Sequence, residues 1–312
     1  MIRGILPALI TPMTGDGVAV NYATLPKLAD FFLSRGVDGF FVCGGSGEGL
    51  LLQAEERRKI LEIVSEHTAG RATIIAHVGA LATQDSQALA AHAESLRVDA
   101  IAAVPPVYFK VDDDALFDHY RLIAEAAPNT PIWVYQIPSA TGVDIDVRKM
   151  MRLLEIDNVA GIKYSSYNLY DMANILALPQ DVNVLSGFDE VLMAALSMGA
   201  HGGIGSTYNV MPASFVRLYR TVQAGDWGEA RILQRRINRV IQALLTAPMI
   251  AGVKIILTER GISCGAPRRP LSPLDEETKT ALLRRLGAVD YWQLEEESHQ
   301  IILDSGGKGM HE

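Results

Sequence analysis

Lys163 closes an apolar run, Val159-Ala160-Gly161-Ile162. Lysines ordinarily sit in water. One delivered into an apolar pocket is disfavoured in its charged form. Its pKa falls, and the neutral amine can attack a carbonyl and form a Schiff base. The plainer reading is a lysine snorkelling from a strand end. Tyr135 ends a second apolar run, Pro131-Ile132-Trp133-Val134, and is followed by Gln136-Ile137-Pro138-Ser139. A tyrosine so placed is a candidate acid–base group. Cys43-Gly44-Gly45-Ser46-Gly47-Glu48 ends a third run. Its glycines let backbone N–H groups converge on an anion, and Ser46 adds a hydroxyl; the alternative is a plain tight turn. Tyr108 follows Pro105-Pro106-Val107 and, taken alone, reads more as a packed loop aromatic than as a functional group. Lys27, Lys59 and Lys149 fall on polar helix faces. Lys254, inside MIAGVKIILTERGI, reads as part of a solvent-facing stripe.

These residues share a placement, which suggests the scaffold. Short apolar runs at 4–11, 39–43, 72–78, 100–104, 131–135, 159–163, 182–186 and 202–205 alternate with helical patterns at 22–35, 54–68, 84–96, 115–126, 147–154, 169–177 and 190–198. Continuously apolar strands indicate a parallel sheet covered on its outer face. Eight such units in about 210 residues predict an α/β fold, a (β/α)8 TIM barrel, in which strand C-terminal ends carry the active site. No GxGxxG follows the first strand, which weakens a doubly wound alternative. The division expected is a barrel core over 1–210, a C-terminal helical extension over 211–295 and a polar, frayed tail over 296–312. The period is clearest at 231–245.

Composition narrows the chemistry. Of the 312 residues, 49% are hydrophobic and 21% charged, which favours a folded globular chain over disorder. The formal net charge of −8 argues against a nucleic-acid partner. Two distant cysteines, Cys43 and Cys264, form neither a disulfide framework nor a zinc site. The seven histidines include no HxH pair, so no metal is expected. The N-terminal apolar stretch is short and holds Pro7 and Pro12, unlike a signal peptide or membrane span, and the chain is expected to be cytoplasmic.

The combination of GGSGE, Tyr135-x-x-Pro138 and Gly161-Ile162-Lys163, in that order, resembles the dihydrodipicolinate synthase/N-acetylneuraminate lyase family over about residues 3–285. The resemblance implies a pyruvate-dependent class I aldolase that needs no cofactor and assembles as a homotetramer. Ser186-Gly187-Phe188-Asp189-Glu190 and Gly203-Ile204-Gly205-Ser206-Thr207-Tyr208-Asn209 are similar to the sugar-binding segments of the lyase branch. By this resemblance Lys163 carries the imine and Tyr135 exchanges its protons. Tyr108 completes a neighbouring subunit's site, and Gly45 and Ser46 hold the carboxylate. Ser165, Gly187, Asp189, Glu190, Ile204 and Ser206 line the distal part of the substrate. Acids and hydroxyls there suit a polyhydroxylated chain. Asp189 and Glu190 also read as acids complementing a helix N-terminus.

Two departures bear on the substrate. Ala140 stands where synthases of this family carry an arginine for the aldehyde's carboxylate, and Gly45 stands where the family places a hydroxyl that links two tyrosines in a proton relay. Three functions therefore stay open. They are aldol cleavage of a sialic-acid-like or other 2-keto-3-deoxy sugar acid, another imine reaction such as dehydration or synthase-type condensation, and a silent barrel that only binds a 2-oxo acid.

Overall fold

The computed structural model describes residues 1–306. Eight strands form its centre: Gly4–Pro7 (β1), Gly39–Val42 (β2), Thr73–His77 (β3), Ala100–Ala103 (β4), Ile132–Gln136 (β5), Val159–Tyr164 (β6), Asn183–Ser186 (β7) and Gly202–Gly205 (β8). All pair in parallel, in the order β1-β8-β7-β6-β5-β4-β3-β2. A parallel bridge between Ala8 and Phe41 brings β1 against β2. There the Leu9 N–H donates to the Phe41 carbonyl at 2.9 Å and closes the cylinder. The fold is the expected (β/α)8 barrel.

Alternation along each strand sorts side chains into two cores. Phe41, Ile75, Ala102, Trp133, Tyr135, Leu185 and Ile204 fill the barrel interior. Their neighbours Phe40, Ile74, Ile101, Ile132, Val134, Ile162 and Val184 face the surrounding helices. Lys163 lies between the outward-packed Ile162 and Tyr164, so it shares the inward parity. Its register partner on β5 is Tyr135. The two candidate groups therefore stand side by side in one layer.

The covering helices are Leu25–Leu33 (α1), Ala54–Thr68 (α2), Thr83–Ser95 (α3), Asp113–Ala126 (α4), Pro138–Thr141 (α5), Val147–Leu153 (α6), Leu169–Leu176 (α7) and Leu192–Ser197 (α8). Five more follow: Pro212–Gln223 (α9), Trp227–Leu244 (α10), Met249–Glu259 (α11), Glu276–Ala288 (α12) and Tyr291–Gly306 (α13). Helix α10 shows why these segments fold. The Asp226 side chain accepts the Glu229 N–H at its start, and Leu233, Ile237, Val240, Ile241 and Leu244 bury one face. Among the described residues, no single helix is long and apolar enough to cross a membrane.

The segment from 296 does not begin as a frayed tail; it continues α13 to Gly306. Its anchor is Glu295, fully buried, which accepts the Ala213 and Ser214 N–H groups and the Ser214 hydroxyl at the start of α9. A carboxylate from one helix thus satisfies the free donors of another. Ile302 is buried as well. Residues 307–312, the remainder of the expected tail, lie outside the described residues.

Candidate active site

Lys163 is 3% exposed. Its Nζ lies 3.9 Å from the centre of the Tyr135 ring and 4.2 Å from that of Phe41. Burial pulls its pKa down to about 7, and the negative charge of Asp189 opposes that pull. A substantial fraction is therefore neutral amine at neutral pH, which is what a Schiff base requires. Tyr135 packs edge-on against Phe41 and His77, with ring centres 5.5 and 5.7 Å away. Burial raises its pKa, so its phenol stays protonated and can donate.

The loop after β2 is bent at both ends by left-handed residues, Cys43 (φ 58°) and Glu48 (φ 59°). The Glu48 N–H donates to the Gly45 carbonyl, the Gly49 N–H to that of Gly44, and the Thr11 hydroxyl to that of Gly47. The Ser46 hydroxyl lies 2.6 Å from that of Ser206, joining the loops after β2 and β8 across the mouth. One hydroxyl donates to the other, which leaves one hydrogen free for a substrate oxygen.

This bond decides a point about Gly45. The Ser46 hydroxyl is engaged by Ser206. A Cβ built on Gly45 would meet only the Tyr135 hydroxyl, at 3.8 Å, and the backbone there is not left-handed. A serine would fit and would face the phenol. Gly45→Ser is expected to speed single-turnover cleavage by at most about tenfold, as a better-aligned proton path would. Comparing cleavage with imine formation checks this. If cleavage instead slows several-fold in a folded variant, the open space serves the substrate, and a dehydratase-like reaction gains ground.

Ser165, Gly187, Asp189, Glu190, Ile204 and Ser206 all line one cavity of about 200 Å³ together with Tyr135 and Lys163. Gly187 lies so close to Ser165 that any side chain on it would strike that hydroxyl, which is itself buried without a partner. Asp189 accepts the Thr207 N–H at 2.7 Å and the Thr207 hydroxyl at 2.6 Å through one carboxylate oxygen. Its other oxygen is buried and unpartnered, and burial pushes its pKa up to about 6. Glu190 accepts the Tyr167 hydroxyl. Helix α10 fixes this segment from behind: Gln234 and Asn238 donate to the Asp189 and Glu190 carbonyls.

A second cavity, about 400 Å³, opens on the other side of Tyr135. Gly44, Gly45, His77, Ile137, Ala140 and Tyr108 are among its lining residues. Tyr108 stands at its rim, 89% exposed, with a left-handed backbone (φ 75°).

Other residues at the site were not singled out from the sequence. Ile241, Leu245 and Met249 give the distal cavity an apolar wall. His77, at the end of β3, is buried; its Nδ1 is 3.1 Å from the Cys43 carbonyl, and Arg57 donates to the His77 carbonyl at 2.6 Å. The strand-end rule that finds Tyr135 would have found it. Lys254 is not on a solvent-facing stripe: it is buried, 2.6 Å from the equally buried Glu48.

Known proteins share this fold. The model of the dihydrodipicolinate synthetase family matches residues 1–289. The chain belongs to the dihydrodipicolinate synthetase family. Within it, the chain is 36% identical to N-acetylneuraminate lyase of Citrobacter koseri over 277 residues, 88% of this chain and 93% of that one. The wild-type sialic acid aldolase of Ruminococcus gnavus superposes with a TM-score of 0.89 at 34% identity, covering 94% of this chain and 99% of its own. Dihydrodipicolinate synthase of Aquifex aeolicus superposes nearly as well, with a TM-score of 0.87 at 31% identity, covering 95% and 99%. Both branches of the family therefore share the scaffold. Membership makes this chain an enzyme, a class I carbon–carbon lyase working through a lysine Schiff base.

Proposed function

We propose that this enzyme cleaves a sialic-acid-like 2-keto-3-deoxy sugar acid to pyruvate and an aldehyde. The neutral Lys163 amine adds to the C2 carbonyl, and loss of water leaves a protonated imine. A base takes the C4 hydroxyl proton, and the C3–C4 bond breaks. Its electrons flow into the imine, giving an enamine and the free aldehyde. The enamine is protonated at C3, and water releases pyruvate and restores the amine. Tyr135, beside the nitrogen, exchanges these protons. The Gly45 and Ser46 N–H groups and the free hydroxyl hydrogen of the Ser46–Ser206 pair receive the substrate carboxylate. Ser165, Asp189 and Glu190 face the distal hydroxyls.

The observation that carries this reading is the buried Lys163 amine, with its lowered pKa, in the same layer as Tyr135. Borohydride reduction in the presence of pyruvate should add a stable mass to the peptide holding Lys163. A label elsewhere, or none, would sink it. Trapping without cleavage of any 2-keto-3-deoxy acid would favour another imine reaction, dehydration or synthase-type condensation.

The lyases named among the relatives support cleavage over condensation, as does Ala140. Its methyl lines the second cavity, where a synthase would need a cation for the aldehyde's carboxylate. A missing charged hydrogen bond costs roughly 1.5–3 kcal/mol, or about one to two decades in rate. Condensation of pyruvate with aspartate semialdehyde is expected to be slow by that margin. Turnover matching that of a dedicated synthase would refute this.

The exposed, left-handed Tyr108 supports a homotetramer in which it reaches a neighbour's second cavity. We place the enzyme in the cytoplasm, with a small 2-oxo acid as its partner.

A further inference from the structure

The loop that would receive the substrate carboxylate has little of its own to hold it. Three of the four residues between Cys43 and Glu48 are glycines. Such a stretch has no side chains to anchor and many backbone states to choose from. Its shape must come from its two ends, and both ends are non-glycine residues in the left-handed region. Such residues persist where their surroundings over-determine them. At the first end the surroundings are plain: Cys43 continues β2, and its carbonyl meets the His77 ring at 3.1 Å.

At the second end the anchor comes from outside the barrel. The Glu48 side chain is fully buried. One of its oxygens lies 2.6 Å from Lys254 Nζ on α11, and the other accepts the Arg268 N–H at 2.6 Å. Lys254 also donates to the Ala266 carbonyl at 3.2 Å. The Arg268 guanidinium reaches the Leu51 carbonyl just past the loop and pairs with Glu56 on α2. The segment after α11 thus closes beneath the glycine loop. Removing one member of such a pair leaves a buried charge without a partner. Replacing both by apolar or neutral groups is often tolerated. The pair's place under the loop therefore suggests a role in geometry beyond stability.

We propose that Glu48 and Lys254 are positioning residues for catalysis: their buried ion pair sets the Gly45 and Ser46 N–H groups that receive the substrate carboxylate. The inference rests on the reading of that loop as the carboxylate cradle. It gives the C-terminal extension a part in substrate recognition, because α11 supplies the cation.

A merely structural pair would affect all ligands of Lys163 alike. A positioning pair affects those that carry a carboxylate. The experiment measures borohydride trapping on Lys163 against concentration for pyruvate and for hydroxyacetone, a ketone without the carboxylate. It uses the full-length wild type and the Glu48→Gln/Lys254→Met double variant. The double variant is expected to need about tenfold more pyruvate for half-maximal trapping, the effect of one weakened charged hydrogen bond. Its hydroxyacetone curve should move less than twofold. Lys254→Arg, which keeps the charge, should restore much of the pyruvate response. If the double variant does not fold, Glu48→Asp gives the same comparison, because it shortens the reach to Lys254 while keeping a negative charge beside that cation. Equal losses for both ketones, or no loss in a folded variant, would overturn the proposal while leaving the cradle intact. A wild type with no preference for pyruvate over hydroxyacetone would overturn the cradle itself, and the proposal with it.

Discussion

Replacing Lys163 with methionine is expected to abolish pyruvate release and, at neutral pH, to make the protein more stable. The first effect follows from losing the buried amine placed to form the imine, and should exceed about 10⁴-fold in turnover. The second follows from burial. The folded pKa is about 7, against an ordinary 10.5. Between those values the unfolded chain binds more protons than the folded one. The native state therefore carries a penalty that is largest below about pH 7. The penalty fades as pH rises toward the unfolded value, where both states hold a neutral amine. Linkage puts it on the order of 4 kcal/mol near neutrality. Methionine has similar length and no charge, and suits a slot between the Phe41 and Tyr135 rings. Some of the gain is offset because Asp189 loses its nearby cation. A net gain of about 2 kcal/mol would raise Tm by roughly 3 °C in a chain of 312 residues. Melting curves at pH 7 and pH 10 test the sign, since the advantage should shrink at the higher pH. A variant that melts below the wild type at pH 7 would show that Lys163 is comfortable where it lies.

The barrel and its reacting pair were legible because both follow from local rules. Eight apolar runs specify eight strands, and alternation specifies which residues point inward. Lys163 and Tyr135 could be placed before any contact was known. Their register, Tyr135 opposite Lys163, adds the adjacency. What stayed hidden depends on pairing between distant segments. Ser46 finds Ser206 across 160 residues, and Asp189 finds Thr207 across 18. No periodicity reports such meetings. Lys254 is the instructive miss. Like Lys163, it is a cation in an apolar stretch. A lysine in that helix points by itself to a wet face. The structure instead supplies a buried carboxylate from the loop after β2. Glu295 shows the same limit: nothing in its local sequence marks it as buried, and it caps α9 from inside the protein.

Asp189 gives the second large effect, and two substitutions separate its roles. Alanine removes the acceptor for both the Thr207 N–H and the Thr207 hydroxyl, which are buried. Each unsatisfied donor costs about 1–3 kcal/mol. Part of that returns, because a carboxylate whose pKa stands at about 6 instead of 3.8 is itself destabilising above that range. A net loss of about 2 kcal/mol is expected for Asp189→Ala, read from denaturant midpoints. Asparagine keeps an acceptor for Thr207 and removes the charge, so Asp189→Asn should remain close to the wild type in stability. Its effect lies at Lys163. Asp189 is the anion that holds the lysine pKa up against burial. Without it the ammonium form is less favoured and the pKa falls below about 7. The rate of imine formation rises with pH as the amine loses its proton, so its rising limb should move to lower pH in Asp189→Asn. The unpartnered Asp189 oxygen, facing Gly205 on β8, is also free for a substrate hydroxyl, and KM for a long sugar acid should climb in the same variant. A residue that only lined the distal part of the substrate would change KM and leave imine formation alone. The electrostatic contact with Lys163 predicts that both move. A limb that stays in place while KM climbs would assign Asp189 to the substrate alone, and a shifted limb with unchanged KM would assign it to tuning the lysine.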